Sequence, residues 1–141
     1  MLKSMYMHAR LINVQDISKA QDMLDKLSSL MQCYPQEEKL REYWSWGVQS
    51  YFMGVGRDFF HMQKMLEDFG QVTKAYPHER KIVTRWVYCV VEFLSRSPSV
   101  DFEKWHVLIE NLIDLTNRHP DDVSIRKKTQ EAIKHFTNRA V

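Results

Sequence analysis

Three prolines set the frame of this sequence. Tyr34-Pro35, Tyr76-Pro77 and His119-Pro120 recur at spacings of 42 and 43 residues, and three copies of one pattern align around them without gaps over a long window. Self-similarity at such a period signals stacked structural units, each too small to bury its apolar face alone. Nineteen residues before each proline stands an aspartate (Asp16, Asp58, Asp101) followed by an apolar residue. An aspartate there predicts an N-cap, because its carboxylate accepts from the orphan N–H groups of a first helical turn. Apolar side chains then return every three or four positions: Ala20, Met62 and Trp105; Leu24, Leu66 and Ile109; Leu27, Phe69 and Leu112; Leu30, Val72 and Leu115. That period is one stripe along a helix of about four turns. The proline closes it, since it cannot extend the hydrogen-bond ladder and restricts the residue before it.

A second stripe follows each proline: Leu40, Ile82 and Ile125; Trp44, Trp86 and Thr129; Val48, Val90 and Ile133; Tyr51, Phe93 and Phe136. The small residue midway (Gly47, Cys89, Ala132) predicts a close helix–helix crossing with no room for a large side chain. Acidic residues just after the prolines (Glu37, Glu79, Asp121, Asp122) suit a first turn. Turn-rich Gly54–Arg57 and Ser95–Ser99 separate the units. The expected organisation is one all-α repeat domain over 1–141, an α-solenoid of antiparallel helix pairs. It divides into a partial repeat helix in 1–15, around Tyr6–Ile12, and repeat segments 16–57, 58–100 and 101–141, with about seven helices in all.

The copies differ as stacking requires. The middle post-proline helix is apolar nearly all round (Ile82, Val83, Trp86, Val87, Val90, Val91, Phe93, Leu94), as a helix packed on two sides should be. Its third counterpart carries Arg126, Lys127, Lys128, Gln130 and Lys134, the polar outer face of a capping unit, so the C-terminus reads as a true end. Only four glycines and four prolines, with no alternating Val, Ile or Thr runs, argue against a sheet. A formal charge of +2 is too small to imply a polyanion partner by itself. Cys33 and Cys89, with no secretory leader near Met1, read as reduced thiols of a cytoplasmic protein. No apolar run approaches the length of a membrane span, so no membrane partner is expected.

Trp44-x-x-Gly47-Val48-x-x-Tyr51 resembles the first helix of a tetratricopeptide repeat. The second-helix positions of that family, counted back from each proline, fall on Met23, Leu27 and Leu30; Met65, Phe69 and Val72; Leu108, Leu112 and Leu115. These units are roughly eight residues longer than the family's period, Gly and Leu are exchanged in the first helix, and two small positions are large here. The chain is therefore similar to an elongated tetratricopeptide-like repeat, and the likeness implies a protein-interaction role and a groove at Ser45, Gln49, Val87 and Val91.

Composition points to another flank. Offsets +4, +8 and +11 from the proline carry Lys39, Tyr43 and Trp46 in the first unit, and Lys81, Arg85 and Tyr88 in the second. Aromatic residues with arginine are the stuff of interface hot spots. These six are the expected partner-binding residues of a non-catalytic adaptor that holds a peptide or protein surface. A nucleic-acid binder is the alternative, since the same residue types stack bases and contact phosphates. Self-association through the N-terminal helix, with its Met1, Met5 and Met7, is a further possibility. Six scattered histidines form no metal motif, Gly54-Val55-Gly56 lacks the Lys of a phosphate loop, and no nucleophile–base pair can be assembled. Neither an enzyme, a cofactor nor a metal is expected.

Overall fold

The computed structural model describes residues 17–54, 58–97 and 101–140. These form six α-helices and no strand: α1 (Ile17–Cys33), α2 (Glu38–Met53), α3 (Phe59–Ala75), α4 (Arg80–Arg96), α5 (Phe102–Arg118) and α6 (Val123–Ala140). The expected helix before Asp16, and the Asp16 cap itself, lie outside the described residues.

The helix boundaries fall where the local chemistry puts them. Asp58 accepts from the Phe60 N–H at 3.0 Å and from His61 Nδ1 at 2.9 Å, and Asp101 accepts from the Lys104 N–H at 3.3 Å. His61 first, and the Phe60 N–H after it, hold the Asp58 carboxyl below the usual carboxylate range. The stabilisation from Asp58 is thus present above the unfolded carboxylate pKa and fades as pH falls through the lower folded one. Replacing Asp101 with alanine should cost about 1 kcal/mol in urea unfolding, the usual loss for an N-cap.

The three proline turns repeat one hydrogen-bond pattern. The residue before each proline closes its helix by donating to a carbonyl four residues back: Tyr34 to Leu30 at 2.9 Å, Tyr76 to Val72 at 3.0 Å, His119 to Leu115 at 3.0 Å. Two residues after the proline an N–H returns to that same residue's carbonyl: Glu37 to Tyr34 at 3.1 Å, Glu79 to Tyr76 at 3.2 Å, Asp122 to His119 at 3.0 Å. Equal spacing in the sequence has become equal backbone geometry.

Each pre-proline helix packs on the post-proline helix that follows it, α1 on α2, α3 on α4 and α5 on α6. The post-proline helices also pack side by side, α2 on α4 and α4 on α6, so α4 lies between the other two. Among the described residues α1, α3 and α5 make no such contact with one another. The predicted stripes are the core. Ala20, Met62, Trp105, Leu24, Leu66, Leu27, Phe69 and Leu112 are buried on one side, and Leu40, Ile82, Ile125, Trp44, Trp86, Val48 and Val90 on the other. Ile133 breaks the pattern and is exposed, because α6 has no further helix beside it among the described residues. The small midpoint position explains itself at Gly47, where a Cβ would come within 2.6 Å of Leu24 Cδ2. The Leu24 side chain fills the space over the Gly47 backbone at the α1–α2 crossing, so a methyl group there would require Leu24 to shift.

Polar side chains tie the middle layer together. Arg41 on α2 meets Glu79, the residue that opens α4, through its Nε at 3.1 Å from both carboxylate oxygens and its Nη2 at 2.5 Å from Oε1. Both side chains are only 8% exposed. The Glu79 hydrogen bond holds the Arg41 proton more firmly than usual, against the opposing effect of burial. At the other end of the layer, Arg96 donates to the carbonyls of Phe52 and Gly54, where the α2 ladder runs out.

Candidate functional site

Two surfaces emerge from this packing. On the first, the post-proline helices present the flank expected from composition. Lys39 and Lys81 stand exposed in the first turns of α2 and α4, while Tyr43 and Tyr88 are half-buried. Trp46 is 38% exposed, with the guanidinium carbon of Arg85 4.5 Å above its ring centroid. Arg85 itself is buried and donates to the Glu42 carbonyl at 3.2 Å and to Ser45 Oγ at 2.9 Å. Over the Tyr88 ring lies Lys128 Nζ, 5.3 Å from the centroid. In both pairs the ring sits at offset +11 of one unit and the cation at +8 of the next. The flank is thus a ladder of cation-over-ring contacts between successive helices. Lys128, which composition did not single out, belongs to it, whereas Lys39 and Lys81 are part of neither pair.

The groove that the tetratricopeptide likeness implies is closed. Ser45, Val87 and Val91 are buried and Gln49 is half-buried. The side-by-side packing of α2, α4 and α6 covers the positions that such a groove would expose.

The second surface was not read from the sequence. Because the backbones of α3 and α5, packed on α4 and α6, do not approach each other closely, a cleft of about 450 Å³ opens between them. Its floor is Leu66, Gly70, Trp86 and Leu108. The Trp86 indole N–H donates to the Leu66 carbonyl at 3.1 Å, which fixes the ring beneath the cleft. Gly70 lies beside the ring: a Cβ there would stand 3.5 Å from Trp86 Nε1, an ordinary contact distance. One wall carries Gln63, Glu67, Gln71 and Lys74 from α3, and the other Glu103, Lys104, Val107 and Asn111 from α5. Val107 is 53% exposed. Beyond Gly70 the cleft narrows towards Thr73, Asp114 and Arg118. Each wall carries one lysine and one glutamate, so neither has a net charge, and amide side chains stand on both.

Among the described residues no group of three or more His, Cys, Asp or Glu side chains could hold a metal ion, and no helix is long and apolar enough to cross a membrane. Cys89 is fully buried, and burial, with Glu92 adding to it, pushes its thiol well above the usual range. A neutral thiol without access is a packing group. A thiol reagent at neutral pH should therefore label exposed Cys33 promptly and reach Cys89 only when the chain unfolds. The raised thiol pKa also means that stability falls as pH rises above the unfolded thiol value, where only the unfolded chain ionises.

Comparison of the chain with family models, with curated proteins and with solved structures gives no match.

Proposed function

We propose that this chain is a non-catalytic interaction module, a short α-solenoid of elongated tetratricopeptide-like units, which holds an extended segment of a protein partner in the cleft between α3 and α5. The observation that carries the reading is the cleft's make-up: an apolar floor of Leu66, Trp86 and Leu108 beneath walls bearing Gln63, Gln71 and Asn111. An amide side chain both donates and accepts, so it can pair with either half of a peptide group. Apolar floor with a few placed polar groups is the usual composition of a binding cleft. From Gln63 to Lys74 a helix advances roughly 16 Å, the length of about five residues of extended chain. The repeat reading is supported by the three equivalent turns and by the cation-over-ring contact made twice in one register.

The Trp46 flank is the second surface for such a partner. Trp46 is held from one side by Arg85 and is 38% exposed, and a rigid, partly exposed indole is a fitting anchor. The nucleic-acid alternative is weaker, because Arg85 is spent on the Glu42 carbonyl and Ser45 inside the layer.

One experiment separates these readings. The immobilised protein is exposed to a native lysate, and retained protein and nucleic acid are analysed together. The Val107→Asp, Asn111→Ala double variant is expected to lose a discrete protein partner while keeping its helicity, and Trp46→Ala, Tyr88→Ala to retain it. The reverse result would move the site to the Trp46 flank. Retained nucleic acid that moderate salt releases would replace the protein-partner reading.

A further inference from the structure

At the turn end of the joint between the first and second units, one arginine makes the contacts. Arg41, six residues after Pro35, donates to the Pro35 carbonyl at 2.6 Å, clasps the Glu79 carboxylate, and lies 3.7 Å over the Tyr76 ring centroid. Tyr76 and Glu79 stand one residue before and two after the next proline. The first unit's arginine therefore grips the second unit's turn. Between the second and third units an apolar seam does this work instead, with Val83 at the arginine's position, continued by Val87, Val91 and Leu94, all buried.

The third unit brings the arginine back. Arg126 is six residues after Pro120 and donates to the Pro120 carbonyl at 2.7 Å, the same hold on its own turn that Arg41 has. Its side chain is exposed, and no carboxylate meets it among the described residues. The rest of the seam register in α6 is Gln130, Lys134 and Thr137, each exposed where its α4 counterpart is buried. At the first unit's turn the two residues that would receive such an arginine are exposed. Tyr34, 51% exposed, and Glu37, exposed and without a side-chain capping bond, occupy the positions of Tyr76 and Glu79. Glu38 and Glu42 line the hollow towards Glu79 and Lys81 and belong to the joint already made, so the free acidic group at this turn is Glu37, against Arg126 and Lys134 exposed on α6.

We infer that copies of this chain associate head to tail, Arg126 of one copy clasping Glu37 and lying over Tyr34 of the next. The contact repeats between chains the Arg41–Glu79–Tyr76 joint found within one. It is heterologous, so it leaves an open half at each end and adds further copies as concentration rises. The α3–α5 cleft takes no part in it, so this inference stands or falls apart from the proposed function.

The test is sedimentation velocity over a concentration series at low and at physiological salt. The average mass of the whole chain is expected to climb with concentration and to fall with added salt, as exposed charge pairs require. Arg126→Glu alone, and Glu37→Arg alone, should each weaken association by about tenfold or more, since each places like charges in the joint. An equimolar mixture of the two variants should regain it, because the exchanged pair restores attraction at that contact. Both positions are exposed, and circular dichroism checks that each variant keeps its helices. A monomer mass at every concentration would overturn the inference, as would association that neither charge reversal weakens.

Discussion

Trp86→Ala is expected to destabilise the chain by about 3–5 kcal/mol, the range for truncating a fully buried tryptophan. Trp86 is 1% exposed and lies on α4, the helix that touches α2, α3, α5 and α6. Truncation removes the indole from beneath Leu66 and Gly70 and takes the hydrogen bond from the Leu66 carbonyl. The void would open into the α3–α5 cleft, where water can enter and solvate that carbonyl, so the middle of the range is the better expectation. Total stability of an ordinary domain is roughly 5–15 kcal/mol, so a loss of this size shifts the unfolding midpoint strongly. Urea unfolding followed by circular dichroism measures it. Trp86→Phe keeps most of the packing and loses the N–H, and about 1–2 kcal/mol is expected for it. A Trp86→Ala loss under about 1 kcal/mol would mean that the ring is not the floor it is taken to be.

Removing Arg41 should be nearly as damaging. Breaking a buried ion pair on one side costs about 3–5 kcal/mol, chiefly because the remaining charge stays buried without a partner. The Arg41–Glu79 pair lies near the starts of α2 and α4, where water can reach relaxed ends, so Arg41→Ala is expected near the lower limit, about 3 kcal/mol. Glu79→Ala should cost a similar amount, and the double variant less than the two together, with a coupling of about 1–3 kcal/mol in the cycle. Arg41→Lys should recover only part of the loss. Lysine lacks the planar fork that reaches both Glu79 oxygens, and it would not lie flat over Tyr76. Additive losses would show the pair to be two independent contacts.

The helices were legible because their signals are local. Asp58 and Asp101 cap where an aspartate nineteen residues before a proline was expected to cap, and the prolines end α1, α3 and α5 within a residue or two. The stripes were legible because burial on a helix follows its period, and the small midpoint at Gly47 follows from the crossing it permits. What escaped depends on the distance between helices that are far apart in sequence. Arginine at offset +8 reads as surface, yet Arg85 is buried because the Glu42 carbonyl and Ser45 Oγ happen to receive its donors. The aromatic flank read as an open binding wall. It is in part a bonding layer, since Arg85 and Lys128 lie on Trp46 and Tyr88. The cleft could not be read, because it depends on how far apart the backbones of α3 and α5 lie.

Three units in one register, meeting at α4, is the claim on which the rest depends, and amide hydrogen exchange tests it most directly. Protection should peak in Arg80–Arg96, the helix with neighbours on every side, and decline outward through α2 and α6 to α1 and α5. Exchange in α4 as fast as in α1 or α6 would contradict it, because a helix at the centre of the packing cannot open before its flanks.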